Sequence, residues 1–87
     1  MTEVIIYTTK HCPYCIRAKN LLEKKAATYT EYRVDLDPEL RREMEQRANR
    51  TSVPQIFING FHVGGFDDMF MLDLDGKLDE LLHPTTS

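Results

Sequence analysis

Two cysteines are the residues of this chain best suited to covalent chemistry, and they lie three positions apart as Cys12 and Cys15. They are the only cysteines among the 87 residues. The apolar run Val4 to Tyr7 before them predicts a strand, and Ile16 to Leu22 after them predicts a helix. A Cys-x-x-Cys pair at such a strand-to-helix junction is typical of reversible thiol–disulfide chemistry.

The predicted helix start would favour the thiolate form of Cys12. The first turn of a helix has unpaired N–H groups and carries about half a positive charge. Cysteines in such motifs have pKa values of about 3.5–7.5, below the ~8.5 of a free thiol. Pro13 suits the first helical position, because no N–H is needed there. We therefore expect Cys12 to be the exposed nucleophile and Cys15, one turn further on, to be the shielded resolving thiol.

Two less reactive interpretations of the cysteine pair remain open. A Cys-x-x-Cys can supply half of a zinc site, but a closed site needs four ligands. The histidines are His11, His62 and His83, and none has zinc-site spacing relative to the others. The pair could also be two inert buried thiols, although both flank a proline at a helix start. We expect a redox pair and no metal.

Length and charge restrict the class of protein. Residues 1–87 are expected to form a single domain. The net charge of −3 gives no basic surface for nucleic acid. No apolar run approaches the ~20 residues of a membrane span, and Met1-Thr2-Glu3 lacks the basic start of a signal peptide. These features predict a cytoplasmic protein, and a close cysteine pair in that reducing compartment is more often catalytic than structural.

The remaining sequence alternates between strand and helix patterns. The order β-α-β-α-β-β-α predicts an α/β domain with a four-stranded mixed sheet and helices on both faces. Asn59-Gly60 predicts a hairpin, and Asp37-Pro38 predicts a helix start. The predicted strands are 3–8, 28–35, 55–59 and 61–64, and the predicted helices run from Cys12 to about Lys25, over 39–48, and from Asp67 to a stop at Gly76.

Two details of this prediction concern the first helix and the end of the chain. The first helix is expected to pack against the sheet through Ile16, Ala18, Leu21 and Leu22. Residues 78–83 predict a short final helix or turn, and residues 84–87 predict a loose tail.

Three motifs along the chain together resemble the glutaredoxin family, in its short dithiol bacterial form. They are Cys12-Pro13-Tyr14-Cys15, Ser52-Val53-Pro54-Gln55-Ile56-Phe57-Ile58 and Gly64-Gly65-Phe66-Asp67-Asp68. The resemblance implies a thioredoxin-like fold and glutathione as the reducing co-substrate. It also implies that protein disulfides and protein–glutathione mixed disulfides are reduced. We expect disulfide-containing or glutathionylated proteins as partners, and a monomeric chain.

The resemblance also implies a glutathione groove beside the cysteines. Pro54 is cis in this family, which leaves the Val53 backbone free to pair with the cysteine backbone of glutathione. The N–H groups of Phe66 and Asp67 would hold the γ-glutamyl carboxylate at a helix start, and the Asp67 carboxylate would pair with the γ-glutamyl ammonium. Gly65 allows a close backbone approach there. The full set of expected groove residues is Lys10, Tyr14, Val53, Pro54, Gly65, Phe66 and Asp67.

Lys10 marks a departure from the family pattern. Many members carry a lysine three residues before the first cysteine, and here that position is Thr9. Lys10 is therefore a candidate for the glycine carboxylate of glutathione or for support of the Cys12 thiolate, but it could equally be a solvated loop lysine. Gln55, and Arg47 or Arg50, are further candidates for the same carboxylate.

Two rival functions remain to be distinguished from a glutathione-dependent reductase. One is a redoxin that thioredoxin reductase reduces, against which the second and third motifs argue. The other is a dimer that carries an iron–sulfur cluster between two Cys12 thiolates and two glutathiones. Pro13 and Tyr14 argue against that role, because cluster carriers of the family have a smaller, glycine-containing sequence there.

Overall fold

A computed structural model of the chain describes residues 2–84, and it contains four strands and four helices in that range. The end of the predicted tail, residues 85–87, lies outside the described residues. No helix between residues 2 and 84 is long and apolar enough to cross a membrane. The strands are β1 (Val4–Thr8), β2 (Thr30–Arg33), β3 (Gln55–Ile58) and β4 (Phe61–Gly64), and the helices are α1 (Pro13–Lys24), α2 (Pro38–Ala48), α3 (Phe66–Leu74) and α4 (Lys77–Leu82).

The four strands form one sheet in the order β2-β1-β3-β4. The first strand pairs in parallel with β2 and antiparallel with β3, and β4 pairs antiparallel with β3. The predicted hairpin joins β3 to β4 through Asn59 and Gly60, whose φ angles are 50° and 82°. Positive φ at both central residues is what a tight two-residue hairpin requires. The predicted four-stranded mixed sheet is confirmed.

Helices cover both faces of the sheet, as predicted. Alternation along β3 directs Ile56 and Phe57 to opposite faces. The Ile56 face packs against α1, α3 and α4 through Ala18, Leu22, Met69, Leu78 and Leu82. The Phe57 face packs against α2 through Met44 and Ala48. Tyr7 of β1 and Val34, the residue after β2, complete this core. The sheet is therefore a central layer between two small cores.

The prediction that Ile16 packs against the sheet is wrong. Its side chain is 53% exposed, whereas Cys15, Ala18 and Leu22 are the buried residues of α1. These three positions follow the i, i+3, i+7 spacing of one helix face. Ile16 is one residue beyond Cys15, and a rotation of about 100° turns it toward solvent.

The helix ends follow local sequence signals. The Asp37 carboxylate caps α2 by accepting a hydrogen bond from the backbone N–H of Glu39 at 2.9 Å, and Pro38 takes the first helical position. Gly76 has a φ of 77° just after α3, in the left-handed conformation that ends helices. The predicted final helix or turn is a helix, α4, whereas β2 is shorter than predicted.

Replacement of Leu22 by Ala should lower the free energy of unfolding far more than replacement of Ile16 by Ala. A cavity at the fully buried Leu22 costs about 2–5 kcal/mol, whereas an exposed change usually stays within about 0.5 kcal/mol. Urea unfolding of the two oxidised variants measures both values. Equal losses in the two variants would contradict the assigned face of α1.

Candidate active site

Cys12 is the N-cap residue of α1, and its sulfur receives a hydrogen bond from the helix. Its backbone is extended, with φ −135° and ψ 98°, and Pro13 follows as the first helical residue. The backbone N–H of Cys15 donates to Cys12 Sγ at 3.1 Å. The two sulfur atoms are bonded as a disulfide across a Cα–Cα distance of 5.1 Å. A thiolate formed at Cys12 would meet the positive end of α1.

Both cysteines are more enclosed than the sequence led us to expect. Cys12 is only 8% exposed and Cys15 is 1% exposed. The chain before β3 passes close to the pair, so that the carbonyl oxygen of Val53 lies 3.9 Å from Cys12 Sγ. Cys12 is nevertheless the less buried of the two residues, which is the order that a nucleophile and a resolving thiol require.

A groove of about 270 Å³ is lined in part by Val53, whose carbonyl oxygen lies 3.9 Å from Cys12 Sγ. All the groove residues expected from the family resemblance line it, except Lys10. The Val53–Pro54 peptide bond is cis, as the resemblance implied. The lining residues are Tyr14, Arg50, Ser52, Val53, Pro54, Gly65, Phe66, Asp67 and Asp68.

Aromatic side chains form one wall of this groove. The rings of Tyr14 and Phe66 lie 6.2 Å apart between centroids, and Phe66 in turn stacks on Phe70 at 5.8 Å. The guanidinium of Arg17 lies 5.3 Å from the centre of the Tyr14 ring, on the solvent side of α1. Tyr14 is 52% exposed, so its ring is available to flank a ligand in the groove.

The N-terminus of α3 also lines the groove, and the carboxylate of Asp68 caps it. Asp68 Oδ2 accepts a hydrogen bond from the backbone N–H of Gly65 at 2.9 Å and one from Arg50 at 2.9 Å. The first bond is one half of a capping box. Because Asp68 uses the Gly65 N–H, the unpaired donors that remain at this helix start belong to Phe66, Asp67 and Asp68.

Gly64 makes this arrangement possible. It has a φ of 114°, and a Cβ built there would overlap the Asp68 carboxylate. Gly65, by contrast, has a φ of −86°, and a Cβ at that position would meet only ordinary contacts, including the carbonyl oxygen of Pro54 at 3.6 Å. Glycine is therefore required by conformation and space at position 64.

Arg50 and the Gly65 N–H also affect the protonation of Asp68. The hydrogen bond from Arg50 is the largest influence and the one from Gly65 the next, and together they hold the pKa of Asp68 below its usual value. Asp68 therefore stays ionised at neutral pH, and α3 keeps its cap.

Three of the candidates for the glycine carboxylate lie away from the groove. Lys10 has an exposed side chain, and its backbone N–H donates to Asp35 Oδ2 at 3.2 Å. Arg47 lies 4.3 Å over the Phe57 ring and donates to the Tyr7 hydroxyl at 2.9 Å. Gln55 is fully buried.

Arg50 is the candidate that the fold brings to the groove. Ser52 and Asp68 also line the groove, and they were not among the groove residues expected from the sequence. For Asp68 a signal existed, because an acidic residue three positions after Gly65 is placed to cap the helix start.

The glutaredoxin family model matches residues 4–63, a span that contains both cysteines and the Val53 segment of the groove. The chain belongs to the glutaredoxin family. It is 54% identical over 82 residues to a glutaredoxin of Pseudomonas aeruginosa, a match that covers 94% of this chain and 98% of that protein. With its Cys12–Cys15 pair, this glutaredoxin is a glutathione-dependent thiol–disulfide oxidoreductase.

Solved structures of other glutaredoxins have the same fold. The solution structure of glutaredoxin from Brucella melitensis superposes with a TM-score of 0.81 at 49% identity, covering 98% of this chain and 94% of that one. A buckwheat glutaredoxin–glutathione complex superposes with a TM-score of 0.86 at 28% identity, covering 93% and 76%. The expected thioredoxin-like fold is thereby confirmed.

Replacement of Asp68 by Asn should make α3 less stable in a pH-dependent manner. The pKa of Asp68 is lower in the folded chain than its ordinary 3.8, so its contribution is fully present above about pH 4 and is lost as pH falls through the folded value. We expect the variant to lose about 0.3–1 kcal/mol of unfolding free energy at pH 6 and progressively less below pH 4.

Thermal unfolding of both proteins between pH 2.5 and 6 measures this difference. Asp67→Asn is the matched control, since it changes the neighbouring carboxylate, for which no bond to Gly65 or Arg50 is found. A difference between wild type and Asp68→Asn that stays constant with pH would contradict the assigned cap.

Proposed function

We propose that Cys12 is the nucleophile of this glutaredoxin, that Cys15 is its resolving thiol, and that the groove beside them binds glutathione. The observation that supports this most strongly is the 3.1 Å hydrogen bond from the Cys15 N–H to Cys12 Sγ at the start of α1. That donor, together with the helix dipole, stabilises negative charge on Cys12 rather than on Cys15. Val53 lines the groove and its carbonyl oxygen lies 3.9 Å from the same sulfur, so a ligand in the groove would lie close to Cys12.

Reduction of a protein disulfide proceeds in two exchanges. The Cys12 thiolate attacks one substrate sulfur, forms a mixed disulfide and releases the other substrate sulfur as a thiolate, which takes up a proton. The Cys15 thiolate then attacks Cys12 Sγ and releases the second substrate thiol. The product is the Cys12–Cys15 disulfide, with the substrate reduced by two electrons and the protein oxidised by two.

Glutathione returns the protein to its dithiol form, also in two exchanges. The thiolate of one glutathione attacks Cys12 Sγ, which releases Cys15 as a thiol and leaves Cys12 bonded to glutathione. A second glutathione attacks the sulfur of the bound one, so that oxidised glutathione leaves and the Cys12 thiolate is regenerated. A glutathionylated protein enters directly at the mixed disulfide and therefore needs only Cys12.

The groove offers a partner for each part of glutathione. The Val53 backbone would pair with the cysteine backbone of glutathione in the manner of an added strand. The N–H groups of Phe66 and Asp67 would receive the γ-glutamyl carboxylate, and the Asp67 carboxylate would receive the γ-glutamyl ammonium. Tyr14 would flank the ligand.

Arg50 is our proposed partner for the glycine carboxylate, in preference to Lys10. It lines the groove and its side chain is 48% exposed, so it can reach a ligand while it contacts Asp68. The bidentate geometry of a guanidinium suits a carboxylate.

We propose a monomeric protein that acts as one domain over residues 1–87 in the cytoplasm, on disulfide-containing or glutathionylated proteins. We expect no metal in the catalytic cycle. In residues 2–84, no group of three or more His, Cys, Asp or Glu side chains is arranged to bind a metal ion.

Two kinds of substrate should distinguish the roles of Cys12 and Cys15. We expect Cys15→Ser to keep most of its activity on a glutathione mixed disulfide but to lose most reduction of a protein disulfide, because only the latter needs the resolving thiol. Cys12→Ser should lose both activities. Turnover of both substrates by wild type and the two variants, with glutathione and glutathione reductase, measures this.

Two outcomes would overturn the assignment. Activity of Cys12→Ser on either substrate would remove Cys12 as the nucleophile. A Cys15→Ser protein inactive on both substrates would make the chain an obligate dithiol redoxin. Replacement of the glutathione system by thioredoxin reductase is the control for the rival reductant, and we expect no turnover with it.

A further inference from the structure

The first residue of β3 is a buried glutamine, and both the nitrogen and the oxygen of its side-chain amide have hydrogen-bond partners. Gln55 is 0% exposed. Its amide nitrogen donates to the backbone carbonyl of Ser52 at 3.1 Å and lies 3.3 Å from the Ser52 hydroxyl. Its amide oxygen lies 2.7 Å from Nε2 of His62. A buried amide is costly unless it is hydrogen-bonded, so these contacts account for a polar side chain in this core position.

The contacts of Gln55 determine where His62 carries a proton. Because the amide nitrogen faces the Ser52 carbonyl, the amide oxygen faces His62, and Nε2 of His62 must be the donor. The imidazole stacks on Phe57 of β3 with 4.8 Å between ring centroids. Burial, followed by the charge of Arg50, lowers the pKa of His62, so the ring is neutral at physiological pH. The stack and the hydrogen bond together fix the ring.

Two hydrogen bonds in series link β4 to the segment that faces Cys12: His62 donates to Gln55, and Gln55 donates to Ser52. His62 lies within β4, whereas Ser52 lies three residues before β3 begins and outside its ladder. Val53 follows Ser52, and its carbonyl oxygen lies 3.9 Å from Cys12 Sγ. The Gln55 amide therefore ties the rigid hairpin to the backbone that passes the reactive sulfur.

We propose that His62 and Gln55 are positioning residues that set the Ser52–Val53 backbone for glutathione. The inference rests on the proposed pairing of glutathione with the Val53 backbone. Neither side chain touches the reacting sulfurs in this role. His62 orients the Gln55 amide, Gln55 fixes the Ser52 carbonyl, and the Val53 N–H and C=O are thereby directed into the groove before a ligand arrives.

Replacement of His62 by Phe tests this proposal, since it keeps a ring to stack on Phe57 but removes the donor. We expect the KM for a glutathione mixed disulfide to rise about threefold to tenfold, the worth of one neutral hydrogen bond, with kcat nearly unchanged. The rate of Cys12 alkylation should be unchanged, because the helix start that supports the thiolate is untouched.

His62→Gln is the matched control. A glutamine places an N–H donor at a similar reach without an aromatic ring, so we expect it to restore KM to within about twofold of wild type if the hydrogen bond is what matters. An unchanged KM in His62→Phe would overturn the proposal. So would a His62→Gln protein as impaired as His62→Phe, because the ring rather than the donor would then be responsible.

Hydrogen exchange of the Gln55 carboxamide protons, followed by NMR, gives a readout that does not depend on turnover. We expect these protons to be protected in wild type and in His62→Gln, and to exchange faster in His62→Phe. Equal protection in all three proteins would contradict the role of His62. Failure of the wild-type protein to turn over glutathione would instead count against the proposed function, and the exchange result would still decide whether His62 orders Gln55.

Discussion

In the proposed mechanism, activity depends on the hydrogen bond from the Cys15 N–H to Cys12 Sγ. This bond exists because Cys12 is extended, Pro13 begins α1, and the N–H of Cys15 then points back at the sulfur. A helix start can stabilise only charge that lies directly on it. The remaining structure has to hold this helix start firmly and bring a substrate to the same sulfur.

The sheet meets both requirements because it places two chain segments opposite the start of α1. The segment before β3 brings the Val53 carbonyl to 3.9 Å from Cys12 Sγ, and the start of α3 completes the groove. Each segment is fixed by a side chain rather than by the sheet alone. Asp68 caps α3 and contacts Arg50, and Gln55 bonds to Ser52. A preorganised groove loses less entropy when a ligand binds.

The sheet architecture and features that depend on neighbours in sequence could be predicted, whereas side-chain contacts between distant loops could not. The Asp37 cap, the Asn59-Gly60 turn and the stop at Gly76 follow from local backbone chemistry, and they occur as predicted. The choice between Lys10 and Arg50 depends on where two loops meet in space. The orientation of Ile16 was missed because every large apolar residue of the helix was assigned to one face, although helix geometry turns Ile16 away from Ala18 and Leu22.

Alkylation of the reduced protein at mildly acidic pH tests the central claim most directly. Iodoacetamide reacts with thiolates, and mass spectrometry can measure modification of Cys12 and Cys15 separately in one sample. Since each unit of pKa changes the thiolate fraction about tenfold, Cys12 should react at least about tenfold faster than Cys15 at pH 5. Equal rates for the two cysteines would contradict the claim that the start of α1 activates Cys12.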